Sequence, residues 1–144
     1  MDEHLFKYTI ALIIVLLIAT AIFCWNLFTI LGMLPRENQK FPRWFVWLFL
    51  IPWIGFVFQW MMLPFGIPDS FRKTFPVNQE AINDANMLFK VGLAEVIFTS
   101  FGILFHISPL NQIADSLGLV LWVVYWVLIF KFRNKYLMPS KSSV

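Results

Sequence analysis

The sequence has little charge, one cysteine and only two histidines. Charged residues make up 13% of its 144 residues, about half the usual fraction for a soluble domain. The single Cys24 cannot form an internal disulfide, which excludes the dithiol chemistry of disulfide-forming membrane enzymes. The histidines, His4 and His106, are predicted to lie on opposite sides of a membrane. We therefore do not expect a haem bound by two histidines.

Sequence patterns typical of enzymes are also missing. The chain shows no paired carboxylates, no histidine cluster of the zinc type, no Ser-His arrangement and no glycine loop of the kind that holds phosphate. These absences predict a non-enzymatic protein with no catalytic residues, no metal and no cofactor.

Apolar residues are what the sequence has in abundance. Hydrophobic residues make up 60% of the chain and aromatic residues 19%, and the mean hydropathy is +0.75. A soluble fold of this size cannot bury so much apolar surface, whereas a lipid bilayer solvates it. The net charge of +3 does not indicate nucleic-acid binding, because the basic residues sit at the ends of apolar segments. The sequence predicts an integral membrane protein whose main partner is the lipid bilayer.

Four apolar segments are long enough to be read as membrane spans. They cover residues 8–34, 44–63, 87–105 and 116–132, with a polar loop at 69–86. The fold class expected from them is all-α, an integral membrane four-helix bundle forming a single transmembrane domain.

Local signals refine the expected helices. Pro52 should bend the second helix, and the stretch "PFGIP" at 64–68 should end it. Asn78 is a plausible N-cap for the third helix, and Asp115 with Ser116 should cap the fourth.

The basic residues predict an orientation. With four spans, both termini and the loop 69–86 share one side, and most lysines and arginines lie there, so this side is predicted to be cytoplasmic. Arg36, Lys40 and Arg43 fall on the other side and oppose that assignment. Residues 35–43 and 107–115 are accordingly predicted to be external.

The third helix carries small and polar residues on one face. Steps of three and four residues join Leu88, Gly92, Glu95, Thr99, Gly102 and His106. Small and polar residues at this spacing allow helices to approach closely and to form hydrogen bonds. Gly92 and Gly102 are therefore predicted to be helix-packing positions.

Glu95 is the most unusual residue of that face, because a carboxylate inside a membrane is costly. It is predicted to face the bundle interior in a neutral state. Gln59 on the second helix and Tyr125 on the fourth are its expected hydrogen-bond partners, and Thr99 belongs to the same polar site. Two interpretations stay open: a protonated structural group, or a group that binds protons or cations.

Two segments resemble a known type of protein. "LIPWIGFVFQWMMLPFGIPDSFRK" (50–73) and "LGLVLWVVYWVLIFKFRNKYL" (117–137) are similar to segments of small four-helix bacterial inner-membrane proteins of unknown function. The resemblance covers about a third of the chain, and it implies a four-helix fold and a multi-pass location in the bacterial inner (plasma) membrane. It implies no activity.

Two functions fit these observations. The first is an accessory, assembly or scaffold subunit of a membrane complex, with other membrane subunits or a second copy as partners, because the chain has short loops and many apolar aromatic residues. The alternative is a small proton-coupled transporter that uses Glu95, supported by Gln59 and by the kink expected at Pro52.

Overall fold

The computed structural model describes residues 2–51, 53–105 and 108–137. Five α-helices are present in these ranges: α1 (Glu3–Gly32), α2 (Ile54–Met61), α3 (Ile67–Thr74), α4 (Gln79–Leu104) and α5 (Leu110–Phe132). Short 3₁₀ segments cover Arg36–Asn38 and Arg43–Leu50, and π-helical turns cover Met62–Gly66 and Arg133–Leu137. The prediction of an all-helical protein is confirmed.

Three of these helices are long and apolar enough to cross a membrane, namely α1, α4 and α5. Their length and composition indicate a membrane protein. Helix α4 begins as predicted, since the side chain of Asn78 accepts a hydrogen bond of 3.1 Å from the backbone N–H of Ala81. Residues 44–63, the expected second span, form no helix long enough to cross a membrane in the part of the chain that the structure describes.

Residues 43–66 form a hairpin instead of one continuous span. The 3₁₀ segment Arg43–Leu50 and helix α2 lie side by side, so that the ring of Phe45 packs on Phe58, 5.0 Å between centroids. Nearer the tip, a Cβ on Gly55 would lie 2.5 Å from the carbonyl oxygen of Phe49. At the tip Trp53 has a φ of 67° and a ψ of −53°, close to the rare and strained conformation of a γ-turn with positive φ. The segment Arg43–Leu50 and helix α2 therefore run back along each other.

The prediction that "PFGIP" ends the second helix is wrong. A π-helical turn at Met62–Gly66 joins α2 to α3, and the helix continues to Thr74. The wider turn accommodates Pro64, and Pro68 lies in the first turn of α3. A proline is tolerated in a first turn, where its missing N–H costs least.

One end of the bundle gathers most of the polar contacts, and we call it the basic end. It comprises loop 35–43, α3, the start of α4 and the end of α5. There Phe71 of α3 stacks on Phe132 of α5, with 4.0 Å between ring centroids. The hydroxyl of Tyr136 donates a 2.6 Å hydrogen bond to Asp84 of α4. Helices α4 and α5 are therefore antiparallel.

Loops 35–43 and 69–86, predicted to lie on opposite sides of a membrane, contact each other in the structure. Lys40 Nζ is 2.6 Å from Asp69 Oδ2, and the backbone N–H of Lys40 donates to Ser70 Oγ at 3.0 Å. Ser70 is buried and donates in turn to the carbonyl of Gly66. The hairpin enters and leaves the bundle at the same end, which is why the two loops meet.

Helix α1 runs toward the basic end and packs through its second half only. Gln39 donates to the carbonyls of Leu31 and Leu34 at the end of α1, and the carbonyl of Leu31 also accepts from the backbone N–H of Leu34. Phe23 packs on Trp126 of α5, 5.4 Å between ring centroids. Every residue from 2 to 18 is exposed. The N-terminus of α1 thus lies at the end of the bundle opposite to the basic end.

Candidate functional site: a polar groove at Glu95

A groove of about 270 Å³ opens between helices α1, α2, α4 and α5. It lies beside the part of α1 that precedes Phe23, the first fully buried residue of this helix. Its lining comprises Leu16, Thr20, Gln59, Glu95, Thr99, Asp115, Gly118, Leu119 and Trp122. Among these described lining residues two are acidic and none is basic, so the groove suits a proton or a cation.

Glu95 is the innermost polar group of this groove and is only 4% exposed. Its Oε1 accepts a hydrogen bond of 3.2 Å from the hydroxyl of Thr99, one turn along α4. Its Oε2 has no hydrogen-bond partner within the described part of the chain. A buried carboxylate oxygen without a partner is costly, and this one belongs to a side chain that lines the groove.

The prediction that Gln59 or Tyr125 donates a hydrogen bond to Glu95 is wrong, because the donor is Thr99. Gln59 lines the same groove without a hydrogen bond to Glu95 among the described contacts. Tyr125 is fully buried, does not line the groove, and donates its hydroxyl to the carbonyl of Leu63 at 2.8 Å.

The carbonyl of Leu63 needs an outside donor because of the π-helical turn. In this turn the N–H of Ile67 donates to Met62, five residues back. The next residue in that register is Pro68, which has no N–H to offer to Leu63. The hydroxyl of Tyr125 takes its place.

Gly92 and Gly102 both lie at helix contacts. A Cβ on Gly92 would be 2.7 Å from the carbonyl oxygen of Leu63 and 3.0 Å from a ring carbon of Tyr125. A Cβ on Gly102 would meet the carboxylate of Asp115 on α5. The two glycines therefore sit at different contacts, one against backbone and one against a side chain.

Asp115 is a groove residue that the sequence analysis assigned to another role. Helix α5 begins at Leu110 and not at residue 116, so Asp115 lies inside the helix and the prediction that it caps the helix is wrong. It is exposed and lies beside Gly102 at the end of the groove farther from the basic end. Its spacing of three and seven residues from Gly118 and Trp122 places it on their face. This spacing is the sequence signal that could have placed Asp115 in the groove.

Glu95 lies near the middle of α4. It is 11 residues from Asp84 at the basic end and nine from Leu104 at the other, or about 17 Å and about 14 Å along the helix. Asp115 is level with Gly102, about 10 Å from Glu95 toward the opposite end. The groove therefore extends from the centre of the helices toward the end that holds the N-terminus.

Buried side chains fill the space between Glu95 and the basic end. Leu63, Leu88 and Tyr125 are each at most 1% exposed. The groove is thus closed on the side of the basic end and open on the other.

Two residues considered above, Pro52 and His106, lie outside the described residues. Within the described ranges, no group of three or more His, Cys, Asp or Glu side chains could hold a metal ion.

No protein-family model matches this chain, and no curated protein or solved structure matches it either. The resemblance to small four-helix bacterial membrane proteins therefore stays a prediction. The groove must be interpreted from its own residues.

Proposed function

We propose that this chain is a small, non-enzymatic, proton-coupled transporter of the bacterial inner (plasma) membrane, in which Glu95 is the proton-binding group. The observation that carries the proposal is the Oε2 atom of Glu95, which is buried and has no partner among the described residues. Acidic residues within membrane segments commonly mark ion and proton pathways. If Oε2 also had a protein donor, as Oε1 has in Thr99, a purely structural role would be favoured.

The topology proposed with it has three spans and one re-entrant hairpin, in place of four spans. Helices α1, α4 and α5 cross the membrane, whereas 43–66 enters and leaves on the same side. Irregular backbone within a membrane is tolerated where it is covered by protein. Val46 and Leu63, one on each arm of the hairpin, are both buried.

The proposed orientation places the C-terminus in the cytoplasm and the N-terminus outside. Its support is that, of the basic residues that the structure describes, all but Lys7 lie at or near the basic end. They are Arg36, Lys40, Arg43, Arg72, Lys73, Lys90, Lys131, Arg133 and Lys135. Cytoplasmic segments are enriched in lysine and arginine. The arginines and the lysine of loop 35–43 opposed a four-span orientation but agree with this one.

In this orientation the groove that Glu95 lines opens toward the outside and is closed toward the cytoplasm. A proton that enters along the groove reaches Oε2 of Glu95. To leave on the cytoplasmic side, it must pass the contact between Leu63 and Tyr125. Transport therefore requires the hairpin to move away from α5, which breaks that hydrogen bond.

Proton flux in reconstituted vesicles tests the proposal. With an imposed pH gradient and an internal pH-sensitive dye, the native protein should carry protons and Glu95→Gln should not, because an amide cannot bind and release a proton at neutral pH. Glu37→Gln makes the same change at an exposed position outside the groove and should leave the flux unchanged. Equal flux through the native protein and a folded Glu95→Gln protein would refute the role of Glu95.

A second candidate is the accessory or scaffold role, and the exposed half of α1 favours it. Residues 2–18 contribute no buried side chain, so another membrane subunit or a second copy has room to pack there. Purification in mild detergent tests this candidate. A stoichiometric partner that is lost when Leu12 and Val15 are changed to tryptophan would support it, and recovery of the chain alone would not.

A further inference from the structure

A second cavity lies apart from Glu95 and shares no lining residue with its groove. It has a volume of about 530 Å³ and lies at the basic end, beside loop 35–43. Its lining comprises Phe28, Arg36, Gln39, Lys40, Phe41, Pro42, Arg43 and Trp44. Three of these residues are basic, and none of the described lining residues is acidic.

Two of its three cationic groups have no protein carboxylate to neutralise them. Neither Arg36 nor Arg43 forms a salt bridge with any residue that the structure describes. The third, Lys40, pairs with Asp69, and Asp69 is shared with Arg72. The cavity therefore carries an excess of positive charge.

The walls of the cavity hold these charges in place. The guanidinium of Arg43 lies over the ring of Phe28, 4.3 Å from its centroid. Gln39 is fixed by its hydrogen bonds to Leu31 and Leu34, and Lys40 by its backbone hydrogen bond to Ser70. The loop that carries Arg36 is thus attached both to α1 and to α3.

We propose that this cavity binds the phosphate group of an anionic phospholipid at the membrane surface. A guanidinium matches the geometry of phosphate oxygens and donates two parallel hydrogen bonds to them. Basic pockets beside membrane helices recognise anionic lipid headgroups in this way. Trp44 is more than half exposed at the rim, and tryptophan favours the level of the headgroups. The lipid would connect α1 to the base of the hairpin.

The experiment measures thermal unfolding of the full chain in a mild neutral detergent. We expect added phosphatidylglycerol to raise the unfolding temperature by several degrees, because a ligand that binds only the folded state stabilises it. Phosphatidylcholine, which has no net charge, should have a much smaller effect at the same concentration. Native mass spectrometry should then show one retained molecule of phosphatidylglycerol.

Three variants locate the effect. Arg36→Gln and Arg43→Gln should each reduce the stabilisation by phosphatidylglycerol. The side chain of Arg36 forms no hydrogen bond, salt bridge or cation–π contact among those described, so its variant should fold normally even if Arg43→Gln does not. Lys73→Gln removes one positive charge at the same end but outside the cavity, and it should retain the full effect.

Each other outcome counts against the proposal. Equal stabilisation by phosphatidylcholine would show that lipid binding does not depend on charge. If Arg36→Gln and Lys73→Gln reduced the stabilisation by phosphatidylglycerol equally, the effect would depend on the overall charge of the basic end and not on the cavity. If inorganic phosphate alone reproduced the full stabilisation, the ligand would be a soluble phosphate and not a lipid.

Discussion

The hydroxyl of Tyr125 on α5 donates a hydrogen bond of 2.8 Å to the backbone carbonyl of Leu63, 62 residues earlier in the chain. This contact joins the returning arm of the hairpin to α5, which packs antiparallel on α4. It also closes the groove of Glu95 on the side of the basic end.

Tyr125→Phe tests this contact by removing one oxygen atom. The change leaves the buried carbonyl of Leu63 without a donor, so we expect a loss of about 1–2 kcal/mol in the free energy of unfolding. Thermal or denaturant unfolding in detergent measures it. Tyr8→Phe is the matched control, since Tyr8 is 74% exposed and its variant should unfold like the native protein. Identical stability of all three proteins would contradict the proposed importance of the contact.

Gly92→Ala should destabilise the protein more than Gly102→Ala does. A Cβ at Gly92 would press on the backbone of Leu63, which cannot move without shifting the hairpin. A Cβ at Gly102 would meet the exposed side chain of Asp115, which can rotate away. We expect about 1–3 kcal/mol for Gly92→Ala, typical of overpacking, and a smaller cost for Gly102→Ala. The reverse order of the two unfolding temperatures would contradict the packing described.

Cross-linking tests whether the segment 43–66 turns back. In a Cys24→Ala background, Lys40→Cys combined with Asp69→Cys should react efficiently with a short bis-maleimide, because the two native side chains form an ion pair. If the segment crossed the membrane, the two positions would lie about 30 Å apart and would not react. In the control, Lys7→Cys with Asp69→Cys, the two cysteines lie at opposite ends of the bundle and should not be cross-linked.

Reporter fusions test the proposed orientation. A reporter that is active only in the cytoplasm should work when fused after residue 38, within 75–78, or at the C-terminus. A reporter that is active only outside should work at the N-terminus. Opposite behaviour of the fusions after residue 38 and at the C-terminus would restore the four-span arrangement.

The small and polar face of α4 could be identified from the sequence because helical periodicity is a local property. Gly92, Glu95 and Gly102 are all buried, and Thr99 is half-buried beside Glu95. The partners of that face could not be identified in the same way. Gln59 and Tyr125 lie on other helices, and neither donates to Glu95; Tyr125 bonds to Leu63, and the donor is Thr99 on the same helix as Glu95. Whether a side chain of another helix reaches Glu95 depends on the tertiary packing.

The sequence by itself determined that the chain is helical and suited to a membrane, and where α4 begins. Apolar runs and a capping residue such as Asn78 act on the backbone nearest to them. Only the tertiary structure decided that 43–66 is a hairpin, that Lys40 meets Asp69, and that Asp115 shares a groove with Glu95. An apolar run of this length has the same composition whether it crosses a bilayer or turns back inside it. The choice depends on contacts such as that of Tyr125 with Leu63, which join residues far apart in the chain.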